Sequence, residues 1–240
     1  MIRTIGMFLY VAGYLLCALP LLVYSKYLEK KDPKKHEQFC RKKIIAFAKR
    51  CLKVAGTKVE LSGLENIPEE PTLTVFNHQG LFDAFILIGC IPNTACVVAK
   101  KELEKVPLLS DWMRAGHCLF IDRSSAKAGM QVIHKGVENL KNGINVSIAP
   151  EGTRNNGKEM LEFKGGAFMM ATKAEAPILP IVIDGTHRIF EANGHRIKPA
   201  TVKVRILPAI PTKGLDRAAQ KELPQKVRAL MQEVLSEIKE

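Results

Sequence analysis

After Gly56 the chain reads as short β-rich runs alternating with helical ones, and no other feature narrows its possible folds as much. Lys58–Leu61, Thr72–Phe76, Ala95–Ala99, Cys118–Ile121, Asn145–Ala149, Ile178–Ile183 and Val202–Ile206 carry the β-branched and apolar residues of strands. Between two of them Met130, Ile133, Val137 and Leu140 recur at helical spacing, and Asn142-Gly143 closes that segment. A last helix carries Val227, Leu230, Met231, Val234, Leu235 and Ile238 on one face, with Pro224 starting or kinking it. Strands that alternate with helices must bury a face against them. The pattern therefore predicts an α/β domain over 57–240, with a mixed, largely parallel central sheet flanked by helices.

Residues 1–56 read differently. From Ile5 to Val23 no residue is charged. A helix over that run is about 28 Å long at ~1.5 Å per residue, close to a hydrocarbon core of about 30 Å. The run exceeds a signal-peptide core and no A-x-A site follows, which favours a retained helix. Tyr24 and Tyr27 fall where an interface is expected, and Lys26, Lys30, Lys31, Lys34 and Lys35 follow directly. Only Arg3 precedes the run, so the positive-inside rule places the bulk of the chain on the cytoplasmic side of the cell membrane. A second helix is expected over His36–Ala55. It mixes Ile44, Ile45, Phe47, Ala48, Cys51 and Leu52 with Arg41, Lys42, Lys43, Lys49, Arg50 and Lys53, a pattern that suits anionic headgroups or packing on the domain. The two helices together predict a membrane-anchoring hairpin.

Charge extends the membrane reading. Across 240 residues there are 36 Lys and Arg against 24 Asp and Glu, a formal charge of +12, which calls for an anionic partner. Aromatics are only 6%, and none of the aromatic-basic interleaving of single-strand nucleic-acid platforms is present. An anionic membrane surface and a phosphate-bearing substrate remain. The cysteines at 17, 40, 51, 90, 96 and 118 form no C-x-x-C pair and no framework spacing, which argues against zinc and for a reducing compartment.

Two polar blocks follow buried strands, the place where open α/β sheets put their sites. In Asn77-His78-Gln79-Gly80-Leu81-Phe82-Asp83, a chain turning after Phe76 brings Asp83 back to the imidazole. Asp83 then accepts a hydrogen bond from one ring nitrogen and leaves the other nitrogen to accept a substrate proton. Taken alone, Asp83 is equally a residue that favours a helix start. In Pro150-Glu151-Gly152-Thr153-Arg154, the glycine permits a tight turn and Arg154 offers the two parallel donors that suit a phosphate. Gly152 to Lys158 also imitates a P-loop, but Glu159 stands where Ser or Thr binds magnesium. Asp122-Arg123 ends another strand, and Lys100, Lys101 and Lys105 form a basic segment before Pro107. A serine hydrolase is excluded, since no G-x-S-x-G elbow occurs.

The blocks stand in an order that resembles the glycerolipid acyltransferases: His78 and Asp83 as H-x4-D, Leu119–Arg123, Pro150–Arg154, and Ala176-Pro177-Ile178-Leu179-Pro180, with Phe163-Lys164-Gly165 between the last two. The resemblance covers roughly Lys58 to Ile210. Two positions depart from it. His117 stands where the second block often has glycine, and Ala149 where an aromatic or branched residue usually precedes the proline. The resemblance implies acyl transfer from an acyl thioester to the sn-2 hydroxyl of 1-acyl-glycerol 3-phosphate (lysophosphatidate), forming phosphatidic acid. His78 would be the general base and Asp83 its partner. Arg154, with Lys105 or Arg123, would hold the phosphate. Glu151 would fix Arg154 or touch the glycerol, in a substrate site completed by Gly152 and Thr153. It implies no metal and no bound cofactor. Acyl-CoA or acyl carrier protein would be the donor, and the positive charge would favour the acidic carrier. A different acceptor (another lysophospholipid, or glycerol 3-phosphate) and a non-catalytic lipid-binding role are the competing readings.

Overall fold

A computed structural model of the chain describes residues 1–94, 96–122 and 124–239. Seven strands form one sheet: β1 (Lys58–Ser62), β2 (Leu73–Phe76), β3 (Cys96–Lys100), β4 (Leu119–Ile121), β5 (Val146–Ile148), β6 (Ile178–Asp184) and β7 (Thr201–Ile206). Their order is β1-β7-β6-β2-β5-β3-β4. β6, β2, β5, β3 and β4 run parallel, β7 pairs antiparallel with β6, and β1 pairs parallel with β7. Each expected strand is present within a residue or two, and the expected mixed, largely parallel sheet is found. Arg123 and the expected first residue of β3, Ala95, lie outside the described residues.

Every residue of β2, β5 and β6 is buried, the mark of parallel strands covered on both faces. Alternation along the strands divides their side chains between two cores. Val75, Ile178 and Val182 meet α6 (Ala126–Lys141), α7 (Gly165–Ala174) and α8 (Arg217–Lys239) on one face. Phe76, Leu179, Ile181 and Ile183 meet α3 (Pro33–Ala55) and α4 (Asp83–Cys90) on the other. The α8 seam runs through Leu223, Val227, Met231, Leu235 and Ile238. Leu230, expected on that face, is exposed, and Pro224 lies buried within the helix rather than at its start.

The N-terminal run is not one straight helix. α1 (Ile2–Cys17) and α2 (Leu19–Lys31) meet at Ala18 with a bend of 47°. Pro20 explains the break. It lacks the N–H that would bond to Leu16, and its ring would strike that carbonyl, costing about 3 kcal/mol inside a continuous helix. At the second position of α2 it costs nothing. Among the described residues no single helix is long and apolar enough to cross a membrane, but the bent pair passes that test together. α3 starts three residues earlier than expected, where Asp32 accepts from the Lys35 N–H at 3.0 Å and Pro33 opens the first turn. It ends at Gly56, whose φ of 75° lets Thr57 N–H reach the Leu52 carbonyl. α3 folds back along α1 and α2, and Arg3 at the start of α1 donates to the carbonyl of Ala55. Its stripe of Cys40, Ala48, Cys51, Leu52 and Ala55 is buried, so the apolar face of this basic helix packs within the protein.

Candidate active site

The carboxyl ends of the five parallel strands converge on a cavity of about 1170 Å³. His78 follows β2, Pro150 follows β5, Lys100 ends β3, Asp122 follows β4 and Asp184 ends β6. This is the crevice where the strand order reverses about β2, the place such sheets offer a ligand. His78, Lys100, Asp122, Gly152, Thr153, Arg154 and Lys164 line its polar mouth, and Phe47, Phe85, Ile88, Trp112 and Met113 line its apolar arm.

The link from β2 to α4 shapes the histidine. Asn77 is fully buried and bonds through its amide to both the N–H and the carbonyl of Ile183, at 2.8 Å each, locking the end of β2 to β6. The chain then turns, and Asp83, the first residue of α4, points back at it. Asp83 Oδ2 lies 2.7 Å from His78 Nδ1 and accepts from the N–H groups of Gln79 at 2.8 Å and Gly80 at 2.9 Å. Thr186 Oγ1 donates to Asp83 Oδ1. Asp83 is fully buried, and four donors surround its carboxyl group, as a buried polar group requires. An acceptor already loaded with backbone donors requires that His78 Nδ1 carry the proton, which leaves Nε2 as the acceptor. Nε2 has no hydrogen-bond partner among the described residues, and the ring is one-fifth exposed at the cavity. The helix-start role open to Asp83 in the sequence is therefore secondary to its grip on His78.

The second block clamps the first. Glu151 Oε1 accepts from the His78 N–H at 2.7 Å, and Asn155 N–H donates to the His78 carbonyl at 2.7 Å. Asn155 Nδ2 spans both Glu151 oxygens, and the Leu161 N–H donates to Oε2 at 2.8 Å. Glu151 is thus buried beneath the site and engaged by backbone, not by Arg154. Arg154 extends instead to Glu191 Oε1 at 3.3 Å. Gly152 has a φ of 72°, and a Cβ there would come within 2.8 Å of the Lys164 ammonium, so the glycine makes both the turn and the passage for Lys164. Lys158 leads into irregular chain through Lys164 rather than opening a helix, which removes the P-loop imitation. Of the basic segment before Pro107, Lys100 at the end of β3 reaches the cavity wall, while Lys105 is exposed in the 3-10 turn Lys101–Lys105 and does not line it.

Burial pushes the Glu151 carboxyl up, against the donors from Leu161, His78 and Asn155 that pull it down. With the folded value raised, the folded state holds the proton more tightly than the unfolded chain, so this group's contribution to stability falls as pH rises through the carboxylate range. In Glu151→Gln one oxygen becomes an NH₂ facing N–H donors. The expected loss is about 1–3 kcal/mol. The deficit is expected to be larger at pH 4.5 than at pH 8, because only the wild type gains from protonation. Urea unfolding at the two pH values measures it.

The acyltransferase family model matches residues 58–184 of this sequence. The chain belongs to the glycerolipid acyltransferase family. It is 36% identical over 186 residues to the 1-acyl-sn-glycerol-3-phosphate acyltransferase of Saccharomyces cerevisiae, covering 76% of this chain and 61% of that one. The Pseudomonas aeruginosa protein of the same name is 36% identical over 186 residues, covering 77% and 72%. Human 1-acyl-sn-glycerol-3-phosphate acyltransferase alpha is 34% identical over 187 residues, covering 76% and 65%. The chain thus spans less than two thirds of the length of its yeast and human relatives. The crystal structure of the 1-acyl-sn-glycerophosphate (LPA) acyltransferase PlsC from Thermotoga maritima superposes with a TM-score of 0.85 at 27% identity, covering 99% of this chain and 95% of that one. Within the acyltransferase frame the His117 departure has a structural reading: its φ is 59°, a left-handed conformation that glycine adopts without strain. The family match stops two residues short of Thr186. Thr186, Glu191 and Asn155 went unread in the sequence. The strand-end rule that singled out His78 and Arg154 also covers Thr186, which lies two residues beyond β6.

Proposed function

We propose that this chain transfers a fatty acyl group from an acyl thioester to the sn-2 hydroxyl of 1-acyl-glycerol 3-phosphate, forming phosphatidic acid. The observation that carries the reading is one cavity holding His78, with a free Nε2 and a saturated Asp83 behind it, together with Arg154 at the same mouth. His78 Nε2 takes the hydroxyl proton as the oxygen attacks the thioester carbonyl. Asp83 holds the ring and stabilises the imidazolium that forms. The tetrahedral intermediate collapses with release of the thiol, which recovers the proton from His78. A thioester needs no further activation, so orientation and proton removal supply the catalysis. Arg154, Lys100 and Lys164 give the phosphate a cationic mouth, beside Gly152 and Thr153. The apolar arm past Phe85 and Trp112 suits a fatty chain.

In this reading residues 1–56 dock the enzyme on the membrane and 57–240 form the catalytic domain. Ile2 is 90% exposed, Leu9 69% and Val23 68%, an apolar surface on α1 and α2 that water does not favour. The lysines after Val23 and the +12 charge support an anionic, cytoplasmic leaflet. Acyl-CoA and acyl carrier protein are both assigned as possible donors, with the basic surface favouring the acidic carrier.

The test uses the full chain in detergent micelles with labelled acyl-CoA or acyl carrier protein. The acceptors are lysophosphatidate, other lysophospholipids and glycerol 3-phosphate. Labelled phosphatidic acid is expected from lysophosphatidate above all others. Transfer to none of them would leave a lipid-binding protein, and a preference for a different acceptor would replace lysophosphatidate.

A further inference from the structure

Glu191 is a carboxylate that the chemistry above does not use. It sits in the 3-10 turn Glu191–Asn193, beyond β6, and lines the cavity. Its side chain is 8% exposed. Oε1 accepts from the Leu81 N–H at 2.7 Å, inside the turn that joins His78 to Asp83. Oε2 is buried without a hydrogen-bond partner, lying over Gly80, where a Cβ would come within 2.6 Å of it. The remaining contact is with Arg154 Nη1 at 3.3 Å, the one ion pair of Arg154 among the described residues. Glu191 therefore lacks the donors that saturate Asp83 and Glu151. Its charge is balanced chiefly by the arginine assigned to the acceptor.

We propose that Glu191 is the resident counter-ion of Arg154, which the phosphate of an incoming acceptor must displace, so that Glu191 sets the affinity of the site for phosphate-bearing acceptors. This inference rests on the function proposed above. Three observations support displacement rather than joint binding. Glu191 is anchored by the Leu81 N–H and packed on Gly80, so it cannot withdraw. Arg154 is 41% exposed on its side chain, so the arginine is the partner free to swing. The contact uses one guanidinium nitrogen, whereas a phosphate offers the paired geometry that arginine holds best. The arrangement favours a dianionic phosphomonoester over a singly charged phosphodiester, because only the stronger anion outcompetes a carboxylate already in place.

Calorimetry on the full chain in detergent micelles, with glycerol 3-phosphate as probe, tests this. Glu191→Gln keeps an oxygen for the Leu81 N–H and removes the charge. Binding is expected to tighten about fivefold, the scale of a partly exposed ion pair. In an Arg154→Ala background most of that gain should vanish. Glu191→Asp keeps the charge but draws it one methylene back from Arg154, and it too should tighten binding; it serves if the Gln variant is unstable. Equal or weaker binding in the folded Glu191 variants would overturn the proposal and make Glu191 a support for the 80–81 turn. The two failures are distinct. Absence of acyl transfer by the wild type removes the functional reading, whereas unchanged glycerol 3-phosphate binding in the variants removes this inference alone.

Discussion

His78→Ala is expected to lower kcat for acyl transfer to lysophosphatidate by about 10²–10⁴-fold, the range that a positioned general base supplies. KM should change little, because the cations at the cavity mouth and the apolar arm are untouched. The fold should survive. What fixes the 77–83 turn is mostly backbone: Asn77 to Ile183, the His78 N–H to Glu151, the His78 carbonyl to Asn155, and the Gln79 and Gly80 N–H groups to Asp83. Alanine at position 78 keeps each of these. It removes one donor from a carboxylate that retains three. Steady-state rates with labelled acyl-CoA, alongside thermal unfolding, separate the two effects. Wild-type turnover in a folded His78→Ala variant would exclude proton removal by this ring. An equal loss of stability and activity would make the histidine structural.

The same turn shows how far a sequence reaches. Buried strands such as those within Thr72–Phe76 and Asn145–Ala149 announce themselves by composition, and their carboxyl ends point to His78 and Pro150. The spacing of His78 and Asp83 suffices to predict their contact, since both lie on one short turn. The donor to the second Asp83 oxygen is not legible in that way. Thr186 arrives from more than a hundred residues away, through the pairing of β2 with β6, which no local pattern records. The place of Glu151 is hidden for a related reason. A carboxylate three residues before an arginine reads as its ion-pair partner, yet the buried face of the loop turns Glu151 under His78 and leaves Arg154 to Glu191. At the N-terminus the apolar run was legible and its geometry was not, because hydropathy ignores the single missing donor at Pro20.

The polar groups behind the cavity thus form two layers. Glu151 and Asn155 hold the backbone of His78 from the β5 side, and Asp83 and Thr186 hold its ring from the β6 side. None of these four residues lines the cavity. Both layers fix where Nε2 points, and a displacement of about 1 Å there is enough to lose two orders of magnitude in rate. The ring side places a carboxylate in direct contact with the imidazole, whereas Glu151 bonds to the backbone, so the two layers should fail in different ways.

Asp83→Asn isolates that charge. One amide oxygen can take the place of Oδ2 and keep the three N–H donors of His78, Gln79 and Gly80, while the amide NH₂ faces the Thr186 hydroxyl, which rotates to accept. The ring, its tautomer and the turn are then preserved, and the anion that stabilises the imidazolium is gone. A loss of about 10²–10⁴-fold in kcat is expected from that change alone. Thr186→Val tests the support behind that charge. It strips one donor from Asp83 and leaves the contact with His78 in place, so a smaller loss of kcat is expected, about tenfold. Thr186→Ser restores the donor and should restore the rate. Steady-state rates of the three variants, alongside thermal unfolding, decide the matter. Wild-type kcat in a folded Asp83→Asn variant would mean that Asp83 acts by packing, not by charge.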